Sequence, residues 1–344
     1  MQLKDSRTSE NSIDIMKKNI LIVTMITSLM LLNSCGGKTE SAAGPMSPAW
    51  TIDDVPVSLA VAMANRYPKV EASFPGGVVG LPDLVYIQIP GYRPLRLDMY
   101  FPPDTSTTHP MVMYIHGGGW QNGHSRQSGA FENWPATLAM IASRGYVVTS
   151  INYRLGGEAP FPAAIQDVKT ALRWLRAHAG EYGIDKDKFL VWGASAGGHL
   201  AALAGTSCGA KELEPVDLPD ELATESDCVQ ATIGWYGIYD LTEMGPRGGP
   251  GGYFAGQLKE ASPVTYVDKS DGAFLLIHGS EDPVINYQQA IDFNDLLTAN
   301  NQQSSVHIIP GVAHSFIGGT AEQTRVASIQ ALELALEFMD DVFK

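Results

Sequence analysis

Residues 189–205 read FLVWGASAGGHLAALAG. The apolar run Phe189 to Trp192 suits a buried strand, and the small and apolar residues that follow His199 suit a tightly packed helix. Between them stands Gly193-Ala194-Ser195-Ala196-Gly197. A serine on such a strand-to-helix turn sits on a strained backbone with small residues on both sides. The helix behind it aims its first amides at the hydroxyl, where they favour developing negative charge. Ser195 is therefore the candidate nucleophile. The five-residue pattern alone is not selective, because it recurs as Gly205-Thr206-Ser207-Cys208-Gly209. That copy follows a helix and runs into an acidic segment, so Ser207 lacks the context that distinguishes Ser195.

Working outward, short apolar runs alternate with helical patterns. Strands are expected at about 83–89, 95–101, 111–116, 146–152, 189–193, 231–236, 273–278 and 305–309. Helices are expected near 129–143, 161–179, 196–205, 286–299 and 320–341. In 161–180, Ala164, Val168, Ala171, Leu172 and Leu175 recur at spacings of three and four, and Gly180 ends the pattern. Two strands followed by strand–helix alternation predict an α/β fold: a mostly parallel central sheet of about eight strands with helices on both faces. In such sheets chemistry gathers at the carboxyl ends of the strands. A single catalytic domain is expected over 51–344.

Three further segments fall at such ends. The strand ending at Ile115 leads into His116-Gly117-Gly118-Gly119-Trp120. Acyl transfer places negative charge on a carbonyl oxygen, and backbone amides must already point there. Gly117 and Gly118 are the expected donors, with Ala196 from the elbow. His116 is read as a residue that positions this loop rather than as a base. A serine nucleophile also needs a base, and the base needs an orienting carboxylate. The strand AFLLIH is followed by Gly279-Ser280-Glu281-Asp282-Pro283, and SVHIIP by Gly311-Val312-Ala313-His314. The order Ser, Asp, His suits Asp282 and His314, with Glu281 and Asp240 as rival acids. His199 and His278 lie near these segments and are read as structural. His109, His124 and His178 read as solvated, and His307 lies within a strand. No zinc-like His/Cys spacing and no phosphate-binding glycine loop is found, so no metal and no cofactor is expected.

Together, His116–Trp120, Tyr153-Arg154-Leu155, Phe161 to Ile165, Gly193 to His199, Trp235-Tyr236-Gly237, Ala261-Ser262-Pro263 and His278 to Pro283 resemble the bacterial feruloyl and acetyl-xylan esterase-like group of α/β-hydrolases. That group stands near the hormone-sensitive-lipase-like esterases, and the resemblance covers roughly 80–340. Lipase-like members carry Asp or Glu before the nucleophile, whereas Ala194 stands here. The resemblance implies hydrolysis of carboxylic esters, with acetyl or feruloyl groups on plant polysaccharide as substrates. A generic carboxylesterase, an arylformamidase, a serine peptidase and a non-catalytic binding protein on the same fold remain alternatives. Between Tyr236 and Ala273 the segment MGPRGGPGGYFAGQ is too rich in glycine and proline for a rigid helical lid, so a short, loop-like cap is expected. Trp120 and Tyr236 are candidate pocket residues. Trp134, Tyr253 and Phe254 are further aromatic side chains available either for stacking on sugar or aryl rings or for ordinary packing.

The chain has 344 residues and a net charge of −14, with 44% hydrophobic and 17% charged residues. This is globular composition, and without a basic stripe it argues against nucleic acid as a partner. The N-terminus reads differently. Met16-Lys17-Lys18 precedes a mainly apolar run over 20–32 and the sequence Leu32-Asn33-Ser34-Cys35. A basic start, a run too short to span a membrane comfortably and a small-residue end describe a signal peptide over 1–34, with Met16 as its true start. The end resembles a bacterial lipobox, with Cys35 as the lipidated first residue. Residues 35–50 would form a flexible tether that holds the exported domain to a membrane, on the periplasmic or cell-surface side. In an oxidising compartment Cys208 and Cys228, which flank the acidic segment, are expected to form a disulfide, worth about 3 kcal/mol in the chain-entropy model.

Overall fold

A computed structural model describes residues 70–244, 252–254 and 256–344. The expected signal peptide, Cys35, the expected tether and residues 51–69 lie outside the described residues. The fold lies within the compact unit Pro68–Lys344. Among the described residues, nine strands form one sheet: β1 (Ala72–Ser73), β2 (Val79–Ile87), β3 (Leu95–Phe101), β4 (His109–Ile115), β5 (Val147–Ile151), β6 (Ile184–Ala194), β7 (Ala231–Trp235), β8 (Ala273–Gly279) and β9 (Ser304–Ile309). Their spatial order is β1-β2-β3-β5-β4-β6-β7-β8-β9. The pairings up to β3–β5 are antiparallel, and those from β5 to β9 are parallel.

The helices are α1 (Trp134–Ala142), α2 (Ala163–Ala177), α3 (Ala179–Tyr182), α4 (Ala196–Thr206), α5 (Asp220–Ala223), α6 (Gln288–Ala299) and α7 (Ala321–Phe343). Alternation along the strands divides the core between them. Met111, Met113 and Ile115 of β4, with Phe189 and Val191 of β6, face α2 and α4. Val112, Tyr114, Leu190 and Trp192 face α1 and α7. A strand segment buried on both faces reads as one continuous apolar run, as do Met111–Ile115 of β4, Phe189–Trp192 of β6 and Phe274–Ile277 of β8.

The chain passes from β4 to β5 on one side, then returns to β6 on the other. This reversal opens a crevice at the carboxyl ends of β4 and β6. Register sharpens the placement, because Ile115 pairs with Gly193 and sets the His116–Trp120 loop beside the elbow.

Several boundaries depart from the expectation, among them the start of β6, at Ile184 rather than at residue 189. The helix expected at 129–143 begins only at Trp134, where Asn133 caps it by accepting from Ala136 N and a proline occupies the first turn. Strand β2 starts ahead of residue 83, and its register shifts between Leu81 and Leu84, around Pro82. Proline weakens a strand reading, which hides this edge. The last helix runs to Phe343 and starts in a capping box made by Thr320 and Gln323.

The acidic segment is more firmly held than its composition suggests. Cys208 and Cys228 are joined by a disulfide. Lys169 of α2, fully buried, bonds Asp227 and donates to Ser207 O at 2.6 Å. Arg173, one turn on, bonds Glu214 and reaches Asp227 at 3.0 Å. Arg176 donates to the carbonyls of Ser226 and Cys228 at 2.6 and 2.7 Å. Three cations on one helix face thus hold the segment on the fold. Removing one partner of a buried ion pair leaves a charge without compensation. Lys169→Met should therefore cost about 3 kcal/mol in urea-induced unfolding, whereas Lys186→Met, at an exposed pair with Glu225, should cost less than about 1 kcal/mol.

Candidate active site

Strand β6 ends at Ala194 and α4 begins at Ala196, which leaves Ser195 alone on the turn with φ 57° and ψ −120°. Its amide donates to Trp235 O at 2.8 Å. The turn is crowded: a Cβ on Gly197 would sit 2.0 Å from Ile115 O, and one on Gly193 would sit 2.0 Å from Gly197 O. Both obstacles are backbone, so glycine is required on each side.

Two loops bring the remaining groups to this serine. His314 Nε2 lies 2.9 Å from Ser195 Oγ, and His314 Nδ1 lies 2.7 Å from Asp282 Oδ2. With its proton on Nδ1 directed at the carboxylate, the imidazole presents an acceptor to the serine hydroxyl. Asp282 follows β8 and its side chain is fully buried. Its Oδ1 accepts from the amides of Val284 and Ile285 at 2.8 and 3.0 Å. Its Oδ2 also accepts from His278 Nε2 at 3.0 Å. That nitrogen faces a second acceptor, Ile285 O, at 3.1 Å, so it must carry the proton. Burial alone would raise the pKa of Asp282. The bonds from His278, His314 and Ile285 N outweigh burial and hold the carboxyl well below the usual range. The rival acids lie elsewhere: Glu281 N donates to Val312 O, and Asp240 Oδ1 accepts from Thr242.

The glycine loop lies against the elbow. A Cβ on Gly117 would approach Ala194 O to 2.7 Å and Ser195 Cβ to 3.2 Å. Gly118 has φ 116°, a conformation L side chains rarely adopt, and its carbonyl accepts from Gln121 N and Asn122 N, both at 3.1 Å. Among the described residues, the amides of Gly117, Gly118 and Ala196 donate to no backbone acceptor. His116 is buried and stacked on Tyr153 at 4.4 Å, and burial pulls its imidazole down to about 4. It is a neutral support for the loop.

Trp120 is the correction to the expected pocket. Its indole is 4% exposed and donates to His199 Nδ1 at 3.1 Å, while His199 Nε2 meets Ala261 O at 2.7 Å. Burial holds His199 down to about 4, so this ring stays neutral and ties the glycine loop, α4 and the segment at Ala261 together. Tyr253 and Phe254 pack on Trp120, and Trp134 is fully buried. None of these four aromatic side chains lines the cleft; they are packing. Tyr236 does line it and packs edge-on against His314 at 4.9 Å.

The cleft above Ser195 has a volume of about 540 Å³, within the range of small-molecule sites. Its walls include Gln121, Asn122, Gln127, Ser128 and Ser315, which the sequence did not single out. Among the described residues, none of the side chains lining it is an aspartate, glutamate, lysine or arginine. From Tyr236 to Ala273 the described residues contain 3-10 turns at Leu241–Met244 and Pro263–Thr265 and no α-helix. Much of the proposed cap segment, 245–251 with 255, lies outside the described residues.

Residues 97–297 match the family model BD-FAE. The chain belongs to the BD-FAE family. Its sheet and helices are those of the α/β-hydrolase fold, shared with solved esterases. Esterase LipC of Mycobacterium tuberculosis is 33% identical over 60% of this chain and 53% of its own length. The chain spans about half the length of the curated relatives it matches. Thermogutta terrifontis esterase 2, solved phosphorylated by paraoxon, superposes with a TM-score of 0.65 at 25% identity, covering 77% of this chain and 94% of that one. A truncated carbohydrate esterase from gut microbiota superposes with a TM-score of 0.63 at 26% identity, covering 76% of this chain and 95% of that one.

The lowered Asp282 pKa has a stability consequence within this BD-FAE member. Unfolded, the carboxyl titrates near about 3.9; folded, it titrates lower. Its contribution is thus fully present above about pH 5 and is lost as pH falls through the folded value. Asp282→Asn should flatten the fall in stability between about pH 5 and pH 2, read from urea midpoints across that range. An unchanged slope would assign the acid sensitivity to other carboxylates.

Proposed function

We propose that this chain hydrolyses carboxylic esters by acyl transfer through Ser195. The observation that carries this reading is the unbroken line of hydrogen bonds from Asp282 through His314 to Ser195 Oγ at the floor of an accessible cleft. His314 takes the serine proton as Oγ attacks the ester carbonyl. The oxyanion forms against the amides of Gly117, Gly118 and Ala196, which are free of backbone partners. The intermediate collapses as His314 Nε2 protonates the leaving alcohol. Water, deprotonated by the same nitrogen, then attacks the acyl-enzyme and releases the acid. Asp282 stays ionised throughout and stabilises the imidazolium. The names of the relatives support this reading, since LipC and LipQ are esterases and LipM is a probable carboxylic ester hydrolase.

The substrate we propose is an acetyl or feruloyl ester on plant polysaccharide. The walls offer amides and hydroxyls rather than charge or a long apolar channel, which suits neutral, polar alcohols. One structural neighbour is a carbohydrate esterase and another a bifunctional GH43-CE protein of Bacteroides eggerthii. We further propose that the chain is exported and held at a membrane surface through lipidated Cys35. Loss of a palmitate label in Cys35→Ala would support the anchor; retention of the label would remove it.

Initial rates on acetylated xylan, methyl ferulate and p-nitrophenyl acetate test the chemistry. Ser195→Ala should lower kcat by at least ~10⁴-fold and abolish adduct formation with paraoxon, read by intact mass, while the fold is kept. Turnover near wild type in that variant would remove Ser195 as the nucleophile. Activity confined to long-chain lipid esters would remove the polysaccharide substrate.

A further inference from the structure

Two residues that line the cleft carry hydroxyls buried without a partner. Tyr114, near the end of β4, is fully buried, and Ser128, on the loop before α1, is 4% exposed. Neither Tyr114 Oη nor Ser128 Oγ has a hydrogen-bond partner among the described residues. Leaving a buried hydroxyl unpaired costs about 1–3 kcal/mol, so each such group in a native fold needs an explanation. The orphaned indoles of Trp134 and Trp192 lie in the core and do not line the cleft.

A third hydroxyl adjoins this pair. A Cβ on Gly129 would lie 3.2 Å from Tyr236 Oη, which places that phenol beside the Ser128 loop. Burial pushes both phenols well above the ordinary tyrosine range; Ser315 beside Tyr236, and Ser128, close to both phenols without meeting hydrogen-bond geometry, offset this only in part. They remain neutral, so each hydroxyl both donates and accepts. The group is also rigid. The Tyr114 ring is wedged between Trp134 and Trp192 at centroid distances of 4.6 and 5.2 Å, and Ser128 O accepts from Phe131 N at 3.0 Å. Fixed, neutral groups able to give and take a proton suit a hydroxyl better than an ion or a hydrocarbon.

We propose that Tyr114 and Ser128 form a hydroxyl-reading subsite, which exchanges hydrogen bonds with a free, uncharged hydroxyl on the bound ester. The inference rests on Ser195 being the nucleophile of this cleft. The hydroxyl belongs either to the acyl group or to the alcohol, and its chemistry is the same in both. A site built to bind a hydroxyl discriminates against the analogue lacking it, because its own buried groups are then left unpaired.

Two matched pairs of esters test the subsite. The acyl-side pair is p-nitrophenyl 4-hydroxyphenylacetate against p-nitrophenyl phenylacetate. The alcohol-side pair is the monoacetate of cis-1,2-cyclohexanediol against cyclohexyl acetate. Wild-type kcat/KM should favour the hydroxylated member of one pair by about ten-fold or more, and that pair identifies the source of the hydroxyl. Tyr114→Phe and Ser128→Ala should each bring the ratio towards one, mainly through KM. A wild-type ratio near one in both pairs overturns the subsite, as does a preference that both variants retain. So does a fall in melting temperature with equal losses on both members of a pair, which would make the hydroxyls structural. If no ester is turned over in a Ser195-dependent way and paraoxon leaves no adduct, the nucleophile reading fails first and the subsite falls with it.

Discussion

A carboxylate shut away from water needs donors for its oxygens, and much of the site is built around meeting that need at Asp282. Two amides from the loop after β8 serve one oxygen, and two imidazoles serve the other. Only one of those imidazoles reaches Ser195. The other, His278, closes the shell from within β8 and leaves His314 with a fixed partner and a fixed direction. Charge burial that would be costly alone becomes a positioning device once every lone pair is directed. The loops bearing Asp282 and His314 therefore take their arrangement from the carboxylate as much as from their own packing.

On the opposite side of the serine the constraint is steric. The crevice exists because the chain reverses direction in the sheet between β4 and β6, and the pairing of Ile115 with Gly193 seats one loop on the other. Gly117, Gly193 and Gly197 are gaps into which neighbouring backbone fits. The Trp120–His199–Ala261 chain of hydrogen bonds then holds this assembly from behind. Electrostatic satisfaction on one flank and close backbone contact on the other fix the serine between them.

The sheet was legible in the sequence because its central strands are buried on both faces and appear as uninterrupted apolar runs. The edge was less so: Pro82 breaks the pattern where the register shifts, and the two residues of β1 carry no periodicity at all. Ser195, Asp282 and His314 could be chosen because each follows a strand in the order the resemblance implies, and the structure brings those three side chains into hydrogen-bond contact. The cleft walls could not be read in this way. Gln121, Gln127 and Ser128 look like ordinary loop residues, and only folding turns them towards the serine. Trp120 shows the opposite failure. An aromatic residue beside a glycine loop invites a role in binding, but its indole hydrogen has a buried acceptor in His199, and a satisfied donor is drawn inward. The acidic segment after Cys208 carries a related lesson: carboxylates in a loop suggest solvent, yet Glu214 and Asp227 pair with cations on α2 far away in the chain.

The backbone at Ser195 carries one more implication. A positive φ at a residue with a Cβ costs the folded state on the order of 1–2 kcal/mol, and here nothing but the surrounding contacts sustains it. Glycine would occupy the same turn without that cost and would have no hydroxyl to offer. Thermodynamic optimisation and reactivity thus pull this position in opposite directions. The most economical fold for this chain would be an inert one, and the serine marks where stability has been ceded.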